Sequence, residues 1–544
     1  MVETAYFSAE IGISNKIPSY SGGLGILAGD HLKAAADLSM SICGITLMYK
    51  EGYMHQVLDV NGWQSEQYAT LQPENILKKL PYTVDIQLRD RRVCIAIWEH
   101  THKSEIGGEV KVYFLDTDID ENHPDDRVIT KRLYGGDREY RLLQEAVLGF
   151  GGIEALQVVV RQADIKTFHM NEGHCAFVTT ALRTMYTRDE VKSRCVFTTH
   201  TPVPAGHDVF SMDLVNYVLG DNLPDDFAED ATGDSLNMTV LAMNNSRHIN
   251  GVSRLHGQVS SKMFPGYKIT SITNGVHHRT WSALATRKTF DLYLPGWREN
   301  AGELKYAQEI PYRMIETMHH ENKRRGLDYI NAMNQAGFSQ DILTIGFARR
   351  AASYKRAWLI LSDPERLKRI ASGRLQIVFA GKAHPQDNVG KTIIQDIVKA
   401  CRVMHPHIII TFLENYNMWL GRLLTSSVDV WLNTPIKPHE ACGTSGMKAA
   451  LNGVLNLSVT DGWWDEACRH GENGWGIDSG EEQDDRRDAD RLYNILEHEV
   501  IPIFYEKRRR WLTMMRESIV TAADFSAQRM VREYQKVYEK SESQ

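Results

Sequence analysis

The sequence of 544 residues predicts an α/β protein made of two doubly wound domains that face a central cleft. Two observations predict it. Short apolar runs alternate with helical patterns through the second half, and the runs of both halves end in polar turns that contain glycine. A chain of this length can bury two or three separate cores.

In the second half, strands are expected at 342–347, 375–380, 407–413, 428–432 and 454–459. Helices are expected at 355–370, 391–404, 418–425 and 446–451. Strand, helix and strand in repetition specify a parallel sheet, which binds ligands beyond the carboxyl ends of its strands. Function is therefore sought in 349–355, 381–387, 414–417, 433–448 and 461–466. In the first half, 165–169, 196–198 and 269–272 read as strands ending in MNEGH, THTPVPAGHD and TNGVHH. The expected division is an N-terminal domain with insertions over 1–297, a helical connector over 298–340, a C-terminal domain over 341–480 and C-terminal helices over 481–544. The basic run EKRRR at 506–510 reads as a solvated helix face.

Composition narrows the class. With 62 basic and 69 acidic residues the net charge is -7, the wrong sign for a protein that grips phosphate backbones. No nucleic-acid or membrane partner is expected. The start, MVETAYFSAEIG, lacks the basic and apolar regions of a secretory signal. The most apolar stretch, 146–160, carries Glu154 and is too short to span a bilayer. Seven scattered cysteines without a Cys-x-x-Cys pair suggest neither disulfides nor a metal site, so a reducing cytoplasm is expected.

The chemistry-bearing segment is EACGTSGMKAALNG, which follows a strand-like run and opens into an Ala-rich helix. Gly443, Thr444, Ser445 and Gly446 at a helix start offer backbone N–H groups and hydroxyls to a phosphate. Lys448 lies on the first turn. A lysine beside a phosphate-binding loop is what a pyridoxal phosphate site requires, although a capped helix with a surface lysine has the same spacing. Arg349, Arg350 and Lys355 follow the strand ILTIGF, where cations recognise a dianion; Arg356 is expected to face solvent. Gly22, Gly23 and Gly25 lead into a helix near Ala28 and let backbone approach an anion or a sugar. His200 and Asn274, each after a strand, can bond sugar hydroxyls or satisfy their own loops. A hydrolase needs two carboxylates across the cleft, and Glu440 has no evident partner, which favours transfer to or from phosphate.

Together AYFSAEIG, YSGGLGILAGDHLKAA, MNEGHCAF, THTPVPAG, INGVSRLHG, ITNGV, RRAASYKR, FAGKAHP, FLENY and EACGTSGMKAALNG resemble the α-glucan (glycogen, starch and maltodextrin) phosphorylases, in their short microbial form. The resemblance implies two Rossmann-like domains of the GT-B glycosyltransferase type, with the glucan on the N-terminal side. It also implies a retaining, reversible phosphorolysis that releases the non-reducing terminal glucose as glucose 1-phosphate. On that resemblance Lys448 would bear pyridoxal phosphate, with Thr444, Ser445 and Arg349 on its 5′-phosphate and Trp281 nearby. Arg350, Lys355 and the Gly23 N–H would bind the substrate phosphate, with Gly22 and Leu24 beside it. His200, Asn274, Glu440, Cys442 and Gly443 would hold the terminal glucose. Lys448, Arg350, Lys355 and His200 form the implied catalytic set, and the cofactor's phosphate the acid–base element. A homodimer is the family's frequent state.

Four departures are visible. Asn417 stands where long forms have an arginine after FLENY, Gly12 where they have a tyrosine, Cys442 where they have a serine, and TSGMK where they have TGNMK. The long-form region that carries effector control is not seen, so no activation by AMP is expected. Two alternatives remain: a glucan synthase-like transferase that uses a nucleotide sugar, and an inactive glucan-binding protein.

Overall fold

The computed structural model describes residues 2–160, 164–480 and 482–540. Of the helices expected over 481–544, residues 481 and 541–544 lie outside that description. The chain divides into two compact units: 1–53, 68–273 and 530–544 form the first, and 54–67 with 274–529 form the second. Asn274 and Trp281 therefore belong to the second unit, and the last helix returns to the first.

The first unit is built on β1 (Thr4–Ser8), β2 (Ile42–Leu47), β3 (Lys78–Leu88), β4 (Arg91–Lys103), β5 (Glu109–Asp116), β6 (Thr167–Asn171), β7 (Cys195–Thr198), β8 (His248–Gly251) and β9 (Ile269–Ser271). Their order is β9-β8-β7-β6-β1-β2-β5-β4-β3. All pairs are parallel except β5 with β4 and β4 with β3, which add an antiparallel edge. The sequence reading names no strand in this edge, whose outermost strand β3 alternates between exposed and buried residues over 83–88. Helix α1 (Gly23–Asp37) follows β1. Among the described residues one helical stretch, Arg138–Val159, is long and apolar enough to cross a membrane, and 78% of its apolar window is buried within the protein.

The second unit holds β10 (Leu343–Ala348), β11 (Leu375–Ala380), β12 (Ile409–Leu413), β13 (Val430–Asn433), β14 (Leu455–Val459) and β15 (Gly474–Ile477), in the order β12-β11-β10-β13-β14-β15. Every pair is parallel. Buried on both faces, these strands are apolar runs, which is why five of them are legible in the sequence. The sixth, GWGI, is too short and glycine-rich to be read.

Helix α2 (Tyr312–Asn334) buries Ile315, Met318, Leu327 and Ile330 at helical spacing. Helix α3 (Asn388–Met404) is capped by Asp387 on the Gly390 N–H at 2.8 Å, and α4 (Met418–Ser427) by Asn417 on the Leu420 N–H at 2.9 Å. The expected helix at 355–370 is instead two short 3-10 turns, Ser353–Lys355 and Leu359–Leu361, and a helix only from Pro364. Pro364 lacks an N–H and so suits the first helical position, with Asp363 as its cap. The EKRRR run is exposed, as the charge pattern predicts.

Arg356 corrects another expectation. It is 1% exposed. Its guanidinium donates to the Thr434 and Pro435 carbonyls at 2.9 and 2.7 Å and pairs with Asp485 and Asp488. A left-handed backbone, φ 47°, turns the side chain inward.

Candidate functional site

The second unit gathers its candidate functional side chains at the carboxyl ends of its strands. After β13 the chain turns through Glu440 to Gly443, whose φ of 85° is the left-handed region that favours glycine. Helix α5 (Thr444–Leu451) starts there without a side-chain cap, so its first N–H groups and positive dipole end are presented to a ligand.

Lys448, one turn into α5, is buried, with its ammonium 3.6 Å from the centroid of the Trp281 ring. Asn452 fixes that pair: its amide donates to the Trp281 and Lys448 carbonyls at 3.0 and 2.9 Å. Ser445 accepts the Trp431 indole N–H at 3.1 Å. The Asn274 backbone bonds the buried Cys442 thiol, and the Asn274 side-chain oxygen is buried without a partner among the described residues.

The Glu440 carboxylate meets the Arg349 guanidinium and the Lys355 ammonium, the latter at 2.6 Å. Burial alone would raise its pKa, but the two cations hold it at about 2. Arg349 nevertheless keeps Nε and Nη1 buried and without a partner among the described residues. A buried guanidinium with open donors is placed for an anion. Arg350 is exposed. The sequence-predicted residues thus fall here into two contacts, Glu440 with Arg349 and Lys355, and Lys448 with Trp281.

In the first unit, Gly22 precedes α1, and Gly23 and Leu24 open it. The Glu10 carboxylate accepts the Ser21 and Gly22 N–H groups at 2.5 and 3.2 Å, together with the Tyr134 hydroxyl. His200 follows β7; its N–H donates to Glu172 at 2.7 Å and its ring Nε2 lies 2.7 Å from Asn171 Oδ1. Burial lowers its pKa to about 4, so the ring is neutral near pH 7. Glu10 and Glu172 are missed by sequence reasoning, although AYFSAEIG and MNEGH end strands. Glu145, His174 and Asp208 have the spacing of a metal site, but Arg141 bonds both His174 and Asp208.

Two departures find physical causes. Gly12 donates to the Gly25 carbonyl at 2.7 Å, and a Cβ on Gly29 would fall 2.1 Å from the Gly12 oxygen, so the strand end and α1 touch backbone to backbone. Asn417 serves as the α4 cap. The residues around Lys448 fit pyridoxal phosphate: a buried amine over an aromatic face, an uncapped helix start and a guanidinium with open donors.

Comparison with known proteins agrees with this geometry. Residues 226–469 match the carbohydrate phosphorylase family model, and residues 9–265 match the starch synthase catalytic domain model. These models belong to the GT-B glycosyltransferase fold. The chain is 40% identical to a maltodextrin phosphorylase of Thermococcus litoralis over 98% of its own length and 70% of the relative's. It is 37% identical to a glycogen phosphorylase of Aquifex aeolicus, covering 97% and 85% of the two chains. An uncharacterized protein of Methanocaldococcus jannaschii is 32% identical over 99% of this chain and its own whole length. Matched by such relatives over nearly its whole length, the chain belongs to the α-glucan phosphorylase family.

Proposed function

We propose that this protein is an α-1,4-glucan phosphorylase that uses inorganic phosphate and pyridoxal phosphate to release glucose 1-phosphate reversibly from the non-reducing end. One observation carries the reading: a buried Lys448 amine lies over Trp281 on the first turn of α5, and the same glycine turn leads back to Glu440 between Arg349 and Lys355. Lys448 holds the cofactor's aldehyde carbon, Trp281 covers that amine, and Thr444, Ser445 and Arg349 take its phosphate. When bound, the cofactor supplies a second phosphate that shares a proton with the substrate phosphate.

The protein's own groups do the rest. Arg350 and Lys355 bind the substrate phosphate and stabilise charge as it develops. Glu440 stays ionised across the working range and accepts hydroxyls of the terminal glucose, with Gly443 and Cys442 beside it and Asn274 aiding through its open oxygen. In the first unit, neutral His200, whose Nε2–H faces Asn171 Oδ1, accepts a sugar hydroxyl on Nδ1, and the Gly22–Gly23–Leu24 turn offers N–H groups to an anion. No protein carboxylate is needed as a nucleophile. Seven unpaired cysteines suit a reducing compartment such as the cytoplasm.

Borohydride reduction followed by peptide mapping tests this: a pyridoxyl adduct on Lys448, with glucose 1-phosphate formed from maltodextrin and phosphate, is the expected result. Absence of both ends the reading. The starch synthase match over 9–265 keeps one second reading, transfer from a nucleotide sugar. It requires glucan elongation with ADP- or UDP-glucose and no adduct on Lys448.

A further inference from the structure

The turn that follows β14 grips the Glu440 loop at three points. Asp461 accepts the Glu440 N–H on Oδ2 at 2.9 Å and the Gly462 N–H on Oδ1 at 2.8 Å. The Trp463 N–H donates to the Cys442 carbonyl at 2.9 Å. Gly462 packs so tightly there that a Cβ would lie 2.4 Å from the Cys442 oxygen. This clasp holds the backbone of Glu440 while its side chain reaches Arg349 and Lys355, and it ends one residue before the Gly443 turn that starts α5.

Building on the phosphorolytic reading above, we propose that Asp461 is a positioning residue for the glucose site, its ionised carboxylate fixing the backbone that aims Glu440. Asp461 touches no reacting atom and acts through Glu440. Its state has a pH signature. Burial, with the Glu440 charge added, pushes the Asp461 carboxyl up to about 7, against the two N–H bonds and the charge of Lys437. The other charged groups nearby are Asp465, paired with Lys437 at 3.1 Å, and Glu466, both on the short helix Trp463–Ala467. Ionised, Asp461 accepts both N–H groups; protonated, one oxygen carries a hydrogen toward a donor and one bond is lost. Glucose binding therefore strengthens as pH rises through the Asp461 titration.

Glucose is the probe because it has no ionisable group in this range, and the comparison with Asp461→Asn cancels any titration the two holoenzymes share, the cofactor phosphate included. Its dissociation constant is measured by calorimetry on holoenzyme, wild type and Asp461→Asn, across the neutral range. Asparagine imitates the protonated acid, with one acceptor and one donor end. The expected result is a variant about tenfold weaker at about pH 8 and within about twofold of wild type at about pH 6. A ratio that does not change with pH, or no weakening at the alkaline end, overturns the proposal. If Asp461→Asn fails to fold, Asp461→Ser, which cannot ionise, takes its place under the same two criteria. Glucose 1-phosphate release by wild type, assayed separately, tests the phosphorolytic reading without moving this result.

Discussion

Two buried carboxylates of the second unit carry the same charge pattern and differ in what they leave open. Glu440, after β13, lies between Arg349 and Lys355; Asp429, just before β13, lies between His319 and Lys323 at 2.8 and 2.6 Å. Both are held at about 2 in spite of burial, Glu440 by Arg349 and Lys355 and Asp429 chiefly by Lys323, with a hydrogen bond to His319. Yet the Asp429 group is closed on itself. Its Oδ2 also accepts the Thr344 N–H at 2.8 Å, and Lys323 donates to the Ile342 carbonyl at 2.8 Å, leaving the His319 Nδ1 without a partner among the described residues. The Glu440 group leaves a guanidinium with two open nitrogens, at the end of the sheet where ligands bind. A displaced titration marks both clusters, so it is the unsatisfied donors and the sheet end that separate binding chemistry from a structural pin.

The comparison can be broken experimentally, and the largest effect is expected at Lys448. Lys448→Ala abolishes both the pyridoxal chromophore and turnover; normal absorbance and rate in that variant would remove the site from the second unit altogether.

Next come the two carboxylates themselves. Glu440→Gln lowers turnover by about 10²–10³-fold and also lowers the urea midpoint, because Arg349 and Lys355 lose their shared carboxylate. Asp429→Asn, which leaves Lys323 buried and unpaired, costs about 3–5 kcal/mol of stability with KM unchanged. Urea unfolding and steady-state kinetics on both proteins check the contrast, and equal kinetic losses would erase it.

A smaller effect sharpens the picture of the open cluster. Arg350→Ala raises the KM for phosphate about tenfold and changes the glucan KM little. An unchanged phosphate KM removes Arg350 from the role.

The two clusters should behave alike in acid. Both folded pKa values lie below the ordinary 3.8 and 4.5, so each carboxylate's contribution is complete above those values and is lost as pH falls toward about 2. The urea midpoint of wild type should therefore drop between about pH 4 and about pH 2, and Asp429→Asn should flatten that drop. The smallest effect is expected at Asn417. Asn417→Arg removes the α4 cap and costs about 1 kcal/mol, read as a lowered melting temperature.

The motifs around Lys448 were legible because local sequence makes them. A strand-like run, a glycine and a helix start put a lysine on a first helical turn, while the open N-terminus and the burial of Lys448 came from the fold. Five strands of the second sheet were legible for a related reason, since a strand buried on both faces is mostly apolar. Arg356 shows the limit. In FARRAASYKRA it reads as one more cation at a helix start, and only a left-handed backbone and the carbonyls of Thr434 and Pro435 carry it inside. Asp461 shows it again. A strand-end aspartate is ordinary until folding brings it under the N–H of a residue 21 positions earlier in the chain.

By itself, then, the sequence determined the doubly wound α/β class, the glycine turns and the residue types available for phosphate, because these follow from short-range periodicity and backbone chemistry. The tertiary structure alone decided which cations became satisfied and which stayed open, and that Trp281 would cover Lys448 across 167 positions of chain. Those outcomes depend on distances between segments remote in sequence, which no local pattern encodes.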